Sequence, residues 1–356
     1  MTTYRDAGVH IREGDRASAL AYAHATSTFA SRKNLIGAPV DEKDGYGGFL
    51  DMGNHYLVIS DDSTGSKIDL AFDVGKFDTL GFDLAAMVAD DAVCTGAESL
   101  AISNTIDVPK IDAQIIDQLM SGLAKACATQ KIVVPAGEIA EVPGAVARGV
   151  WSATVVGIVA KDRVLKPETV RPGDAIIALK DAVARSNGFS LLRAILSKSY
   201  GKDWVRKEWK NGTAWGEILL TPSIIYSAAI LAMIGRFNEP VKIPVKGLAH
   251  ITGGGIPSKL KRILKKSGCG AELSDLWPPH EALLGVIKLG NVSTEEAYRT
   301  WHMGSGMLVI CEEKHTEKAI DLLTRNGIQA KRAGIVTKNP AIRIHAFDGT
   351  EVAISA

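Results

Sequence analysis

The chain carries few cysteines, only Cys94, Cys127, Cys269 and Cys311 among 356 residues, and no two lie at C-x-x-C spacing. That spacing excludes a thiolate metal cluster or a dithiol redox motif, and four reduced, mostly buried thiols are expected. It also lacks an excess of charge of either sign. Lys and Arg number 41 against 40 Asp and Glu, a formal net charge of +1. A broad nucleic-acid surface or an anionic membrane is thereby excluded as the main partner, since either needs clustered cations in excess. Long hydrophobic runs are missing as well. No stretch approaches the roughly 20 apolar residues of a membrane span, and the charged start "MTTYRDAGVHIREGD" has no apolar run of the kind a signal peptide needs. A cytoplasmic protein is expected. Internal repeats, low-complexity tracts and a Walker motif are absent too.

What remains is the balance of a globular protein, 46% hydrophobic and 23% charged. At about 150 residues per domain, the length suggests two domains. The turn "RPGD" before the apolar run "AIIAL" sets a boundary near residue 168, giving domains 1–168 and 169–356. Residues 1–50 read as polar and glycine-punctuated, with "DEKDGYGGFL" a turn-rich loop before a strand at 56–60. Leu84, Met87 and Val88 recur at helical spacing, with Gly96 as the stop, and a strand follows at 99–107. Asp112 caps a helix over 112–129 that turns Ile115, Ile116, Leu119 and Leu123 inward. "KIVVP" is a short strand and 150–160 a longer one, which places Glu138 and Glu141 in a loop between them.

Past the boundary, a helix is expected over 188–198, then a Trp-rich insert around 204–215 and a helix opening at Thr221-Pro222. "SKLKRILKK" reads as a helix with a wet basic face and Leu260, Ile263 and Leu264 inward. The end repeats strand, helix, strand. The fold class is therefore α/β (α+β), with a mixed sheet and helices first and a mainly antiparallel sheet with helices on one face second.

Several stretches could carry chemistry. In "LVISDDSTGSKIDLAFD", Asp61 and Asp62 end a strand, and Ser63, Thr64, Gly65, Ser66 and Lys67 follow. Adjacent carboxylates repel unless a cation screens them, and Mg²⁺ takes one or two carboxylates together with phosphate oxygens. A small-residue loop with a lysine could cradle those phosphates. The same residues also make hairpin turns, and locally the turn is the simpler reading. Asp90 and Asp91 lie near a helix C-terminus, where the macrodipole disfavours them unless a cation compensates or both are solvated. "LAHITGGG" joins His250 to Gly253, Gly254 and Gly255 ahead of a helix. That arrangement suits either an anion beside a base or a hinge beside a core histidine.

Taken together, "YRDAGVHI", "DTLGFDLAAMVADDAVCTGAE", "AGEIAEVPG", "RSNGFSLLR", "LAHITGGGIP" and "AYRTWHMGSGM" resemble, in order and spacing, the aminoimidazole ribonucleotide synthetase (phosphoribosylformylglycinamidine cyclo-ligase) family. The resemblance implies homodimers whose first-domain sheets pair into a barrel with ATP beside it. It also implies an ATP- and Mg²⁺-dependent closure of the imidazole ring of formylglycinamidine ribonucleotide in purine synthesis. By position it assigns Asp62, Gly65, Ser66, Lys67, Asp91 and Glu138 to the nucleotide, with Asp62, Asp91 and Glu138 on the metal. His250, Lys67 and Asp91 are the catalytic candidates. Arg185, Ser186, Asn187, Gly188 and Gly253 to Gly255 fall to the ribonucleotide, Arg185 as a grip on its phosphate. The chain departs from the family in its nucleotide loop, where GTDGVGTK is usual, and in Arg185, which replaces a histidine. The alternatives are a superfamily relative that phosphorylates another small acceptor, as selenophosphate synthetase or thiamine-monophosphate kinase does, and a non-catalytic nucleotide-binding paralogue.

Overall fold

The structure, a computed structural model, describes residues 11–40 and 45–354. The "YRDAGVHI" stretch, apart from Ile11, and the first four residues of "DEKDGYGGFL" lie outside them. The first half runs α1 (Ile11–Ser27), β1 (Ala38–Val40), β2 (Gly48–Asp51), β3 (His55–Ser63), α2 (Lys67–Val74), α3 (Leu80–Val93), β4 (Glu98–Val108), α4 (Ala113–Gln130), β5 (Val133–Glu141) and β6 (Val150–Ala160). The second begins with β7 (Ala175–Lys180), α5 (Phe189–Tyr200), β8 (Glu208–Lys210), β9 (Thr213–Ala214), α6 (Trp215–Leu219), α7 (Ser227–Ile234), β10 (Val245–His250) and α8 (Gly255–Ser267). It ends with β11 (Gly270–Leu273), α9 (Glu281–Gly290), α10 (Thr294–Thr300), β12 (Ser305–Cys311), α11 (Thr316–Arg325), β13 (Ala330–Thr337), β14 (Ile342–His345) and β15 (Glu351–Ile354).

The first sheet has the order β1-β2-β3-β6-β4-β5 and is antiparallel except for the β4–β5 pair. Along β6 the alternation is strict. Trp151, Ala153 and Val155 are buried in the core that includes α3 and Val159 in a smaller cluster with Phe49, Val58 and Ala97, whereas Ser152, Thr154, Val156 and Ile158 point to an uncovered face. The second sheet has the order β10-β12-β7-β13-β11-β14-β15, with β11–β14 its one parallel pair. Its middle strands β7 and β12 are buried at nearly every position, which shows cover on both faces there. A single apolar core includes Leu84, Val88 and Trp151 of the first half and Ile176, Ile230 and Leu248 of the second. All four cysteines are buried and unpaired.

The central helix α3 is "LGFDLAAMVADDAV", and its alanines let neighbours close in on every side. The tightest approach is to α4. A Cβ on Gly81 would lie 2.0 Å from the Leu123 backbone nitrogen, and one on Gly122 would lie 2.2 Å from the Asp78 carbonyl oxygen. Asp112 caps α4 by accepting from the amides of Gln114 and Ile115.

Four expectations change. β3 continues through Asp61, Asp62 and Ser63, because β6 offers it a partner as far as Ser152. Glu138 and Glu141 belong to β5, paired with Thr105 and Val108 of β4, and not to a loop. No helix opens at Thr221-Pro222. Helix α7 starts at Ser227, since the segment before it crosses α3 and gives its amides to carboxylates there. Residues 11–27, read only as part of a polar, glycine-punctuated stretch, form α1.

Gly122→Ala is expected to cost about 1–3 kcal/mol through overpacking against Asp78. Gly14→Ala, on exposed α1 with nothing within 4 Å of its Cβ, is expected to be neutral or stabilising by up to about 1 kcal/mol. Urea unfolding of both variants checks this, and equal midpoints would refute the close α3–α4 contact.

Candidate active site

Helix α3 carries the charges around which the site is built. Asp83 and Asp90 are seven residues apart, hence on one side of the helix, and both are fully buried. Asp83 Oδ1 accepts from Lys67 Nζ at 2.8 Å and from the amide of Ser223 at 3.1 Å. Lys67 Nζ also donates to the Thr221 carbonyl at 2.8 Å. Asp90 Oδ1 accepts from the amides of Tyr226 and Ser227 at 2.8 and 2.9 Å, and its Oδ2 from Arg185 Nη2 at 2.8 Å. Arg185 Nη1 donates to Asp181 Oδ2 at 2.6 Å and to the Ile224 carbonyl at 3.0 Å. Burial by itself would lift the Asp181 carboxyl. Arg185 and His302 nearby, with hydrogen bonds from Arg185 and Ala182, outweigh it and hold that carboxyl down to about 2.

Asp91, the next residue along α3, faces the other domain. Its Oδ1 lies 2.7 Å from His250 Nδ1, and His250 Nε2 is 4.0 Å from Asp90 Oδ2. His250 ends β10 and is wholly buried. Asp62 points to the same side of the first sheet, since its register partner Ala153 is buried. Burial pushes the Asp62 carboxyl up and the Asp91 charge adds to this, while the Ser63 amide, His250 and Lys259 pull it down. Lys259, on the first turns of α8, belongs to this centre. Burial and Arg262 lower its ammonium, and Asp91 and Asp62 raise it. The sequence reading missed Lys259 because it placed the whole basic run on a wet face. Its position in the first turns of the helix that follows the glycine run was the available signal.

Glycines bring the remaining motifs together. Gly65, at φ +54°, passes so near the second domain that its Cβ would lie 3.1 Å from the Ser186 carbonyl. A Cβ on Gly253 would be 3.7 Å from Asn187 Nδ2, and one on Gly188 would be 2.2 Å from Trp301 Nε1. The loops "STGSK", "RSNG" and "TGGG" and the end of "YRTW" thus line one seam between the domains. Ser66 reaches Ser190 across it. Along the seam Thr64 Oγ1, Ser186 Oγ, Asn187 Oδ1, His250 Nε2 and Trp301 Nε1 are buried without hydrogen-bond partners. Each such atom costs about 1–3 kcal/mol, and a row of them suits a polar ligand.

Three assignments are corrected. Lys67 is 0% exposed and its ammonium is paired with Asp83, where an exposed phosphate contact was expected. Arg185, 1% exposed, is engaged by two carboxylates, where a phosphate grip was expected. Glu138 is exposed and in register with Thr105, Ser152 and Ser63, on the uncovered face and three strands from β3. Strand alternation therefore separates it from Asp62 and Asp91. Among the described residues, no group of three or more His, Cys, Asp or Glu side chains is placed to hold a metal ion. Two carboxylates with open positions for phosphate and water still fit Mg²⁺ chemistry, and Asp62 and Asp91 are the pair present.

Fold and site together define a two-domain α/β protein with an enzyme-like centre at its domain seam, built from carboxylates, an imidazole and glycine loops that admit a ligand to the backbone. Residues 46–159 match the model for AIR synthase related protein, N-terminal domain, and residues 171–346 that for AIR synthase related protein, C-terminal domain. The chain belongs to the AIR synthase related family. It is 35% identical over 347 residues to phosphoribosylformylglycinamidine cyclo-ligase of Thermococcus kodakarensis, covering 98% of this chain and 99% of that protein. The enzyme of that name from Clostridium perfringens is 33% identical, covering 94% and 97%. Among solved structures, E. coli HypE, a hydrogenase maturation protein, matches with a TM-score of 0.62 at 19% identity over 93% of this chain and 95% of that one. T. maritima PurL complexed with ADP matches with a TM-score of 0.58 at 16% identity, over 92% of this chain and 47% of that one.

Asp181 gives a pH signature. A carboxyl held down to about 2, against about 3.9 in an unfolded chain, contributes stability that is fully present above about pH 4. That contribution, on the order of 2 kcal/mol, is lost as pH falls through about 2. In acid unfolding followed by circular dichroism, Asp181→Asn is expected to be less stable at pH 7 and to have a shallower decline between pH 4 and 2. An unchanged slope would contradict the Arg185–Asp181 pairing.

Proposed function

We propose that this protein is an ATP-dependent cyclo-ligase that closes the imidazole ring of formylglycinamidine ribonucleotide, giving aminoimidazole ribonucleotide, ADP and phosphate in purine biosynthesis. The observation that carries the reading is identity with curated cyclo-ligases along nearly the whole chain. The seam supports it, because the fold gathers there four of the motifs on which the resemblance rests, those that carry Asp91, Asn187, His250 and Trp301.

The chemistry needs activation, since an amide oxygen is a poor leaving group and phosphate a good one. The γ-phosphoryl group passes from ATP to the amide oxygen, and the bond to the β-phosphate oxygen breaks to leave ADP. An internal nitrogen then bonds to the activated carbon, phosphate departs with the electrons of the C–O bond, and the nitrogen loses a proton. Catalysis of this kind is mostly positioning and charge neutralisation. Asp62 and Asp91 would hold Mg²⁺, which when bound supplies positive charge to the phosphates. Gly65 and Ser66 give the loop that approaches the nucleotide. His250, steadied at Nδ1 by Asp91, presents Nε2 for proton transfer or hydrogen bonding. Ser186, Asn187, Gly188 and Gly253 to Gly255 lie on the ribonucleotide side.

The working unit is a homodimer. The uncovered face of the first sheet carries Leu57, Ile59, Val156 and Ile158, paired across β3 and β6 and half-exposed. Pairing two such faces covers them and sets Glu138 at the subunit boundary. Charge balance and the absence, among the described residues, of any helix long and apolar enough to cross a membrane accord with a cytoplasmic enzyme of small molecules.

Purified protein given ATP, Mg²⁺ and formylglycinamidine ribonucleotide is expected to form ADP and the aromatic amine together. ADP formed only on another acceptor would overturn the assignment. Asp62→Asn is expected to lower turnover about 10²-fold by removing charge opposite the phosphates, with the melting temperature nearly unchanged. In sedimentation velocity, Val156→Glu is expected to shift dimer to monomer, and an unaltered sedimentation coefficient would place the interface elsewhere.

A further inference from the structure

We infer that Arg185 is a positioning residue for the ring-closing reaction, which it serves from the interior without touching a substrate. The proposal rests on the cyclo-ligase reading. Arg185 is enclosed by groups from both domains. Asp90 Oδ2 of α3 lies at 2.8 Å, Asp181 Oδ2 just past β7 at 2.6 Å, the Ile224 carbonyl at 3.0 Å and the Tyr226 ring at 5.2 Å. With Tyr226 Oη also 2.9 Å from Asp181 Oδ2, the guanidinium closes a buried ring of partners.

Two routes lead from this ring to the seam. Along the chain, Arg185 precedes Ser186, Asn187 and Gly188, so its anchorage sets where the Ser186 carbonyl meets Gly65 and where Gly188 meets the Trp301 indole. Through space, it holds the Asp90 oxygen that lies 4.0 Å from His250 Nε2, while the other Asp90 oxygen is taken by the amides of Tyr226 and Ser227. With both Asp90 oxygens committed, Asp91 alone steadies His250 at Nδ1. Release Asp90, and it can swing to the imidazole nitrogen that would otherwise face the reacting groups.

The residue type is specific. A planar guanidinium satisfies two carboxylates at a set angle, whereas a lysine ammonium is a point charge that can engage only one of them closely. Arg185→Lys therefore preserves the buried charge but loses the simultaneous hold.

The test compares wild type, Arg185→Lys and Asp181→Asn as full-length proteins. Each is given ATP, Mg²⁺ and formylglycinamidine ribonucleotide, with kcat and both KM values measured beside a melting curve. Arg185→Met would leave two buried carboxylates unpaired and fail to fold, so it is not used. Arg185→Lys is expected to lower kcat about 10- to 100-fold with both KM values within about threefold of wild type. Asp181→Asn, which frees one arm of the fork, should lower kcat in the same sense. It keeps the test alive if the lysine variant does not fold. Unchanged kcat in the folded variants would reduce Arg185 to a structural bolt and overturn the proposal. A loss confined to the KM for the ribonucleotide would overturn it too, by making Arg185 a binding group. Failure of wild type to form product would instead strike the cyclo-ligase reading itself.

Discussion

Two buried carboxylates on one side of α3, Asp83 and Asp90, hold the two domains in register. Each meets a buried cation, Lys67 or Arg185, and together they accept three backbone amides from residues 223–227 of the second domain. Removing one partner of a buried ion pair costs about 3–5 kcal/mol, because the other is left charged and unpaired. The net contribution of such pairs to stability is small, yet their geometry is exacting. Any shift of one domain along the other would strand several donors and acceptors at once.

That register allows the site to exist. Asp91 is the residue beside Asp90, and its Oδ1 lies 2.7 Å from His250 Nδ1 of the other domain. Of the glycine contacts, Gly188 against Trp301 leaves no room for a side chain and Gly65 against Ser186 leaves little, while Gly253 stands at ordinary contact distance from Asn187. Scaffold and site are thus coupled through one helix. The same helix packs on Trp151 and Val155 of the first sheet and on α4 through Gly81 and Gly122, which fixes its own place.

Much of the scaffold could be read from sequence. The alternation of β6, the Asp112 cap of α4 and the inward Leu260, Ile263 and Leu264 of α8 are local signals, set by periods of 2 and 3.6 and by capping chemistry. The candidate site was legible in part. Asp62, Asp91, His250 and the loops at 186–188 and 253–255 do meet, as their membership in one set of motifs suggested. The strand ends at Ser63 and Glu141 were hidden because a strand extends as far as its neighbour pairs with it, and the neighbour is distant in sequence.

By itself, the sequence determined the two α/β halves, the family and most of the residues gathered at the seam, because periodicity and motif order are properties of the chain. Only the tertiary structure decided where individual charges went. Lys67 and Arg185, read as ligands of phosphate, are buried against Asp83 and Asp90. Lys259, read as surface, joins the carboxylate centre, and Glu138 turns to the uncovered face. The reason is physical. A charged side chain is a phosphate grip, a structural ion pair or a solvated surface group according to what stands within about 4 Å of it, and that neighbour comes from another part of the chain.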